Sequence, residues 1–137
     1  ECSYMVESAV RMAMEMGATV IKANLPMDGE GNYLENEGIP KYYRKVEKEI
    51  MAMSEKERKW ERAKRVVIAA QGLPVLFSGG AEKTDNDVIE NAQACSDAGC
   101  FGFICGRGVF GHPEGPAQGA QKLLEAWDAL SRRPITS

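Results

Sequence analysis

No apolar run in this chain approaches the ~20 residues that a bilayer-spanning helix needs, and no secretory signal pattern is visible, so no membrane association is expected. An excess of one charge sign is also missing. The formal net charge is −3, which offers no general field for nucleic acid or an anionic membrane. Cys2, Cys95, Cys100 and Cys105 lack paired metal-site spacing, and 137 residues can bury a core without disulfide staples. Reduced thiols in a cytoplasm are the simplest expectation. There is no fixed-period repeat and no low-complexity tract, so residues 1–137 read as one globular unit. Glu1 opens directly into a helical pattern, which suggests part of a longer domain.

What the chain does have is alternation. Val6, Val10, Ala13 and Met14, with Ala9 beside them, fall at helical spacing over residues 3–16, and Gly17 offers a C-terminal stop. The β-branched run Thr19-Val20-Ile21 then favours a strand. Residues 25–40, rich in Gly, Asn, Pro and acidic side chains, read as a long loop of the kind that carries function. Residues 41–70 read as helical with a break, because Ser54-Glu55-Lys56-Glu57 matches a capping box that can start a second helix. Gly72 ends it, and residues 73–78 form a second strand.

A helix capped at Thr84 or Asp85 follows, with Val88, Ile89, Ala92 and Cys95 inward and Gly99 as its stop. Residues 100–105 make a third strand. Ala120, Leu123, Leu124, Trp127 and Leu130 form the apolar stripe of a last helix. The order α-β-α(α)-β-α-β-α implies an α/β fold, a parallel sheet with helices packed outside it. The near-continuous apolar strands, 73–77 and 101–105, suit a sheet covered on both faces.

Each strand ends in residues able to do chemistry. Strand periodicity puts Val20 and Lys22 on one face and Thr19 and Ile21 on the other. If the latter pair meets the helices, Lys22 looks into the sheet interior near its carboxyl end. There partial desolvation would lower its pKa and make a neutral amine available for Schiff-base formation. The plain alternative is a lysine that leaves the strand end for a surface ion pair. Ser78-Gly79-Gly80 follows the second strand, where glycines let backbone N–H groups approach an anion. Gly106-Arg107-Gly108 follows the third, and its arginine fork suits phosphate oxygens. Either could be an ordinary turn.

His112, beside Pro113, reads as a structural or rim residue. Asp28, Glu30 and Glu35, in the long loop after Lys22, are undistinguished candidates for proton transfer. The mixed charges of residues 41–65 read as a solvated helical face.

Three segments together resemble the bacterial and archaeal class I fructose-bisphosphate aldolases. They are Val20-Ile21-Lys22-Ala23-Asn24-Leu25-Pro26, Phe77-Ser78-Gly79-Gly80, and Ile104-Cys105-Gly106-Arg107-Gly108-Val109-Phe110. The resemblance implies a partial (β/α)8 TIM barrel, the last three βα units with strands six to eight, and a chain that is the C-terminal part of the domain. It implies Lys22 as the imine-forming lysine, and Ser78, Gly79, Gly80, Gly106 and Arg107 as the groups that hold a substrate phosphate. Gly108 stands where relatives often carry a larger polar residue.

It further implies a glycolytic or gluconeogenic lyase that works on a phosphorylated sugar with no metal and no cofactor, homo-oligomeric as a full-length protein. Residues 1–137 alone would then be inactive. Three other readings stay open: a transaldolase- or thiolase-like enzyme on another phosphorylated ketose, a phosphate-binding barrel in which Lys22 is no nucleophile, and a non-enzymatic half-barrel module.

Overall fold

The computed structural model describes residues 2–27, 36–78 and 85–131. The first helix, α1 (Ser3–Glu15), turns Val6 and Val10 inward, and Ala13 packs against the same core. It ends where the sequence says it should. Gly17 adopts φ +90°, its N–H reaches the Met14 carbonyl, and the Ala18 N–H reaches back to the Ala13 carbonyl. Those two bonds satisfy carbonyls that a helix end leaves open, in a conformation that glycine adopts without strain. The chain enters β1 (Ile21–Asn24) four residues later.

Helix α2 (Lys41–Met51) and helix α3 (Glu55–Ala69) are separate, and the capping box divides them. The Ser54 hydroxyl accepts from the Glu57 N–H while the Glu57 carboxylate accepts from the Ser54 N–H. After α3, β2 (Val75–Ser78) leads to α4 (Asp85–Asp97). Gly99 closes α4 as Gly17 closes α1, with the Cys100 N–H bonded to the Cys95 carbonyl. Then come β3 (Gly102–Ile104), a single helical turn α5 (Arg107–Phe110) and α6 (Pro116–Ser131).

The three strands are parallel and adjacent in chain order, β1-β2-β3. Lys22 stands beside Leu76 and Leu76 beside Gly102, while Asn24 stands beside Ser78 and Ser78 beside Ile104. Sequential parallel strands force each connection to cross over the sheet as a helix. The core forms between one sheet face and those helices: Ile21, Ala23, Val75 and Phe77 meet Val6, Val10, Ala63, Val66 and Cys95.

Cover on both sheet faces, expected from the apolar runs, is not found among the described residues. Leu76 and Ser78 are half-buried, while Lys22, Asn24 and Ile104 are exposed on the second face. The strands are also shorter than the runs that announced them, since Phe101 and Cys105 fall outside β3. On α6 the expected stripe is only partly inward: Ala120, Leu123 and Trp127 are half-buried, but Leu124 is exposed.

Candidate functional site

Parallel order places the carboxyl ends of all three strands along one edge of the sheet. Lys22 is the second residue of β1, two residues before its carboxyl end, while Ser78 ends β2 and Gly106-Arg107 follow β3 at that edge. The alternation is as expected. Ile21 and Ala23 are buried against the helices, so Lys22 and Asn24 emerge on the opposite, open face. The expected desolvation of the Lys22 amine is not met, because no described residue covers that face and Lys22 is exposed.

Ser78 is drawn to β1 by its side chain. Its hydroxyl donates to Asn24 Oδ1 across 2.5 Å and lies 3.4 Å from the Ala23 carbonyl oxygen. The sequence motif assigns Asn24 no role. Strand periodicity already put it on the face of Lys22, so the missing signal was the β1–β2 register, which sequence does not reveal. Gly79 and Gly80 lie outside the described residues, as do Asp28, Glu30 and Glu35.

Gly106 caps α5, with φ −104° and ψ −75°, and accepts from the Val109 and Phe110 N–H groups. Arg107, the first residue of that turn, is exposed. The helical turn itself was not part of the sequence expectation, which left open an ordinary glycine turn.

His112 is buried behind the turn. Its Nδ1 accepts from the Glu114 N–H at 3.1 Å, and Lys122 Nζ stands 3.4 Å from its Nε2. This position fits a structural role for the imidazole, which holds the connection between α5 and α6. A groove of about 470 Å3 runs between α1 and the outer edge of β1, lined by Met5, Val6, Ala9, Val10, Lys22 and Asn24 among others. Among the described residues it touches the candidate lysine but not Ser78, Gly106 or Arg107.

No group of three or more His, Cys, Asp or Glu side chains with metal-binding geometry occurs among the described residues. No described helix is long and apolar enough to cross a membrane.

Comparison with known proteins agrees with the fold. A chain described as a Schiff-base-forming fructose-1,6-bisphosphate aldolase aligns at TM-score 0.61 and 23% identity, over 90% of this chain and 37% of that one. An archaeal fructose 1,6-bisphosphate aldolase aligns at TM-score 0.63 and 22% identity, over 93% and 38%. At such identities the likeness speaks for the fold, an α/β arrangement of parallel strands and helices shared with aldolase barrels.

A ribulose bisphosphate carboxylase-like protein of Rhodopseudomonas palustris is 46% identical over 59 residues, which is 43% of this chain and 13% of that protein. The chain thus spans little more than a third of the solved aldolases and a smaller share of that relative. The family model described as DeoC/LacD family aldolase matches residues 3–112. With most of its length in that match, the chain belongs to the DeoC/LacD family of aldolases.

Proposed function

We propose that this chain carries the nucleophile and the phosphate-holding turns of a class I, Schiff-base-forming aldolase. It would cleave fructose 1,6-bisphosphate to, or form it from, dihydroxyacetone phosphate and glyceraldehyde 3-phosphate. The observation that supports the reading is the parallel order of β1, β2 and β3, which puts their last residues, Asn24, Ser78 and Ile104, side by side at one end of the sheet, with Lys22 two residues short of that end on β1.

In this mechanism the Lys22 amine, in its neutral form, adds to the substrate carbonyl carbon. The resulting carbinolamine loses its oxygen as water and becomes an iminium ion. When the neighbouring carbon–carbon bond breaks, its electron pair moves into the iminium as an enamine, and an aldehyde leaves. Gly106, Arg107 and the Ser78-Gly79-Gly80 turn would hold the phosphate, which fixes the carbonyl against the amine. Such positioning can supply several kcal/mol of the barrier reduction. A neutral amine requires cover on the open sheet face, which in this proposal comes from residues beyond those described.

The 59-residue likeness to a ribulose bisphosphate carboxylase-like protein favours a second reading, in which the same turns hold a phosphorylated sugar and Lys22 forms no covalent bond. One experiment separates the two. Borohydride is added to the full-length protein with dihydroxyacetone phosphate, and its peptides are weighed. A reduced adduct on the Lys22 peptide supports the imine mechanism, and an unmodified Lys22 peptide at saturating substrate overturns it.

A further inference from the structure

We propose that the small cavity at the N-terminus of α1 binds one halide ion, such as chloride, and that the bound ion ties α1 to α2. The site is independent of the Schiff-base reading. The cavity has a volume of about 10 Å3, and Ser3, Tyr43, Arg44, Glu47 and Arg65 are among the residues that line it. Ser3 is the first residue of α1 and only 3% exposed, yet its Oγ has no hydrogen-bond partner among the described residues. Arg44 Nε, on α2, is likewise buried without one. Two donors from two helices thus border one small space, and buried polar groups left unpaired in this way are costly.

The helix end adds further donors. The first hydrogen bond of α1 runs from the Val6 N–H to the Cys2 carbonyl, and Cys2 makes no side-chain cap. The N–H groups of Ser3, Tyr4 and Met5 therefore have no partner within the helix, and the partial positive charge gathered there favours an anion. Charge balance points the same way. Arg65 is paired with Glu7 and Arg62 with Glu47, whereas no carboxylate pairs with Arg44 among the described residues. One positive charge is left over beside the cavity.

Size selects the class of ligand. A cavity of about 10 Å3 holds one particle near the size of a water molecule. Phosphate, sulfate and the carboxylates of metabolites are too large, so the site takes a single-atom anion. A halide only accepts hydrogen bonds, which suits a space bordered by donors, and it balances the charge of Arg44. Water would do neither, since it must also place its own protons, and Glu47, the carboxylate that lines the cavity, is bonded to Arg62. Ile39, Val46 and the Tyr4–Tyr43 ring pair stand around the space, so attraction to an ion is less screened there than at an open surface.

The test melts the full-length protein in sodium chloride, sodium bromide or sodium gluconate at one ionic strength. The melting temperature is expected to rise with either halide and to saturate, as it does when a ligand binds only the folded state, and to stay level in gluconate. Ser3→Ala is expected to weaken the apparent halide affinity about tenfold, the worth of one hydrogen bond to a charge. In gluconate the same variant should melt no lower than the unsubstituted protein, because it removes a buried hydroxyl that has nothing to bond. A serine with a purely structural role would not show that reversal. Arg44→Gln is expected to abolish the halide response, and it keeps the test decisive if Ser3→Ala does not fold. Equal melting in halide and gluconate would mean that water fills the cavity. A halide response undiminished by either substitution would place the ion elsewhere, and each of these two results overturns the proposal.

Discussion

Arg65 of α3 holds Glu7 of α1 through two hydrogen bonds, Nε to Oε1 at 2.7 Å and Nη2 to Oε2 at 3.0 Å, across 58 positions of sequence. Burial alone would lower the Arg65 pKa, but the hydrogen bonds and charge of Glu7 outweigh it and the guanidinium is held above its ordinary range. The guanidinium also lies 5.9 Å from the Tyr43 ring centre, and Tyr43 packs on Tyr4 at 4.7 Å. One cation thus gathers α1, α2 and α3 on the outer side of the sheet. Glu7→Gln should cost about 1–2 kcal/mol, because it leaves a half-buried cation with a neutral partner. A fall in the urea midpoint at unchanged slope would report it, and an unchanged midpoint would show that solvent already screens the pair.

A second ion pair, Glu47 with Arg62, joins α2 to α3 and is more deeply buried. Arg62 also points Nη2 at Met51 Sδ, 3.7 Å away. Removing either partner alone, as in Glu47→Ala, should destabilise by about 3–5 kcal/mol, whereas replacing both with apolar residues of similar volume should be near neutral. Denaturation of the two singles and of Glu47→Leu with Arg62→Met tests this. A double variant as weak as the singles would mean that the charges, and not the volume, are what the site requires.

The capping box makes a prediction about pH. Hydrogen bonds from the Ser54 hydroxyl and the Ser54 N–H hold the Glu57 carboxyl below its ordinary range. A carboxyl whose pKa is lower in the folded state stabilises above the unfolded value of 4.5, and that contribution disappears as pH falls through the folded value. Ser54→Ala should therefore lower the melting temperature near pH 7, with a difference from the unsubstituted protein that narrows in acid. Thermal melts at pH 7 and pH 3.5 would check the convergence. A difference that stayed constant would assign the cap to the serine alone.

What the sequence made legible was local. The Schellman turns at Gly17 and Gly99, the capping box at Ser54 and the inward face Val88, Ala92 and Cys95 all depend on residues within one or two turns of each other. Position along the chain and strand periodicity were enough to put Lys22 on the face away from the helices. The cross-strand features were not legible. The Asn24–Ser78 bond needs the β1–β2 register, and the Glu7–Arg65 pair needs the packing of α1 on α3. An apolar run could not say whether both faces of its strand are covered, and among the described residues Lys22, Asn24 and Ile104 are exposed on the second face of β1–β3. Arg107 at the start of a helical turn was missed because glycine on both sides of it reads as loop.

Burial pushes the Cys100 thiol up to about 11, against the opposing pull of hydrogen bonds to the backbone of Gly102 and of Cys100 itself. The thiolate is the reactive form, so Cys100 should resist alkylation at pH 8 and gain reactivity only well above pH 9. Peptide mapping after a brief pulse of iodoacetamide at several pH values would show it. Rapid labelling of Cys100 at pH 8 in the folded protein would mean that the end of α4 opens readily.

Two glycines offer a contrast that tests the packing behind Arg107. A Cβ at Gly119 on α6 would lie 2.9 Å from His112 Cβ and 3.0 Å from the Val109 carbonyl oxygen, both held in place by the α5–α6 junction. A Cβ at Gly102 on β3 would also come within 2.9 Å of a neighbour, but that neighbour is Leu76 Cδ2, the far end of a side chain on the open face. Alanine in a helix interior normally gains up to about 1 kcal/mol over glycine. Gly119→Ala should nevertheless destabilise, by about 1–3 kcal/mol, because the backbone oxygen cannot move aside without shifting α5. Gly102→Ala should be tolerated within about 0.5 kcal/mol, as Leu76 rotates toward the uncovered face. Urea denaturation of both variants decides it. If Gly119→Ala were neutral, the junction that positions Arg107 would be looser than the close approach of α5 and α6 implies.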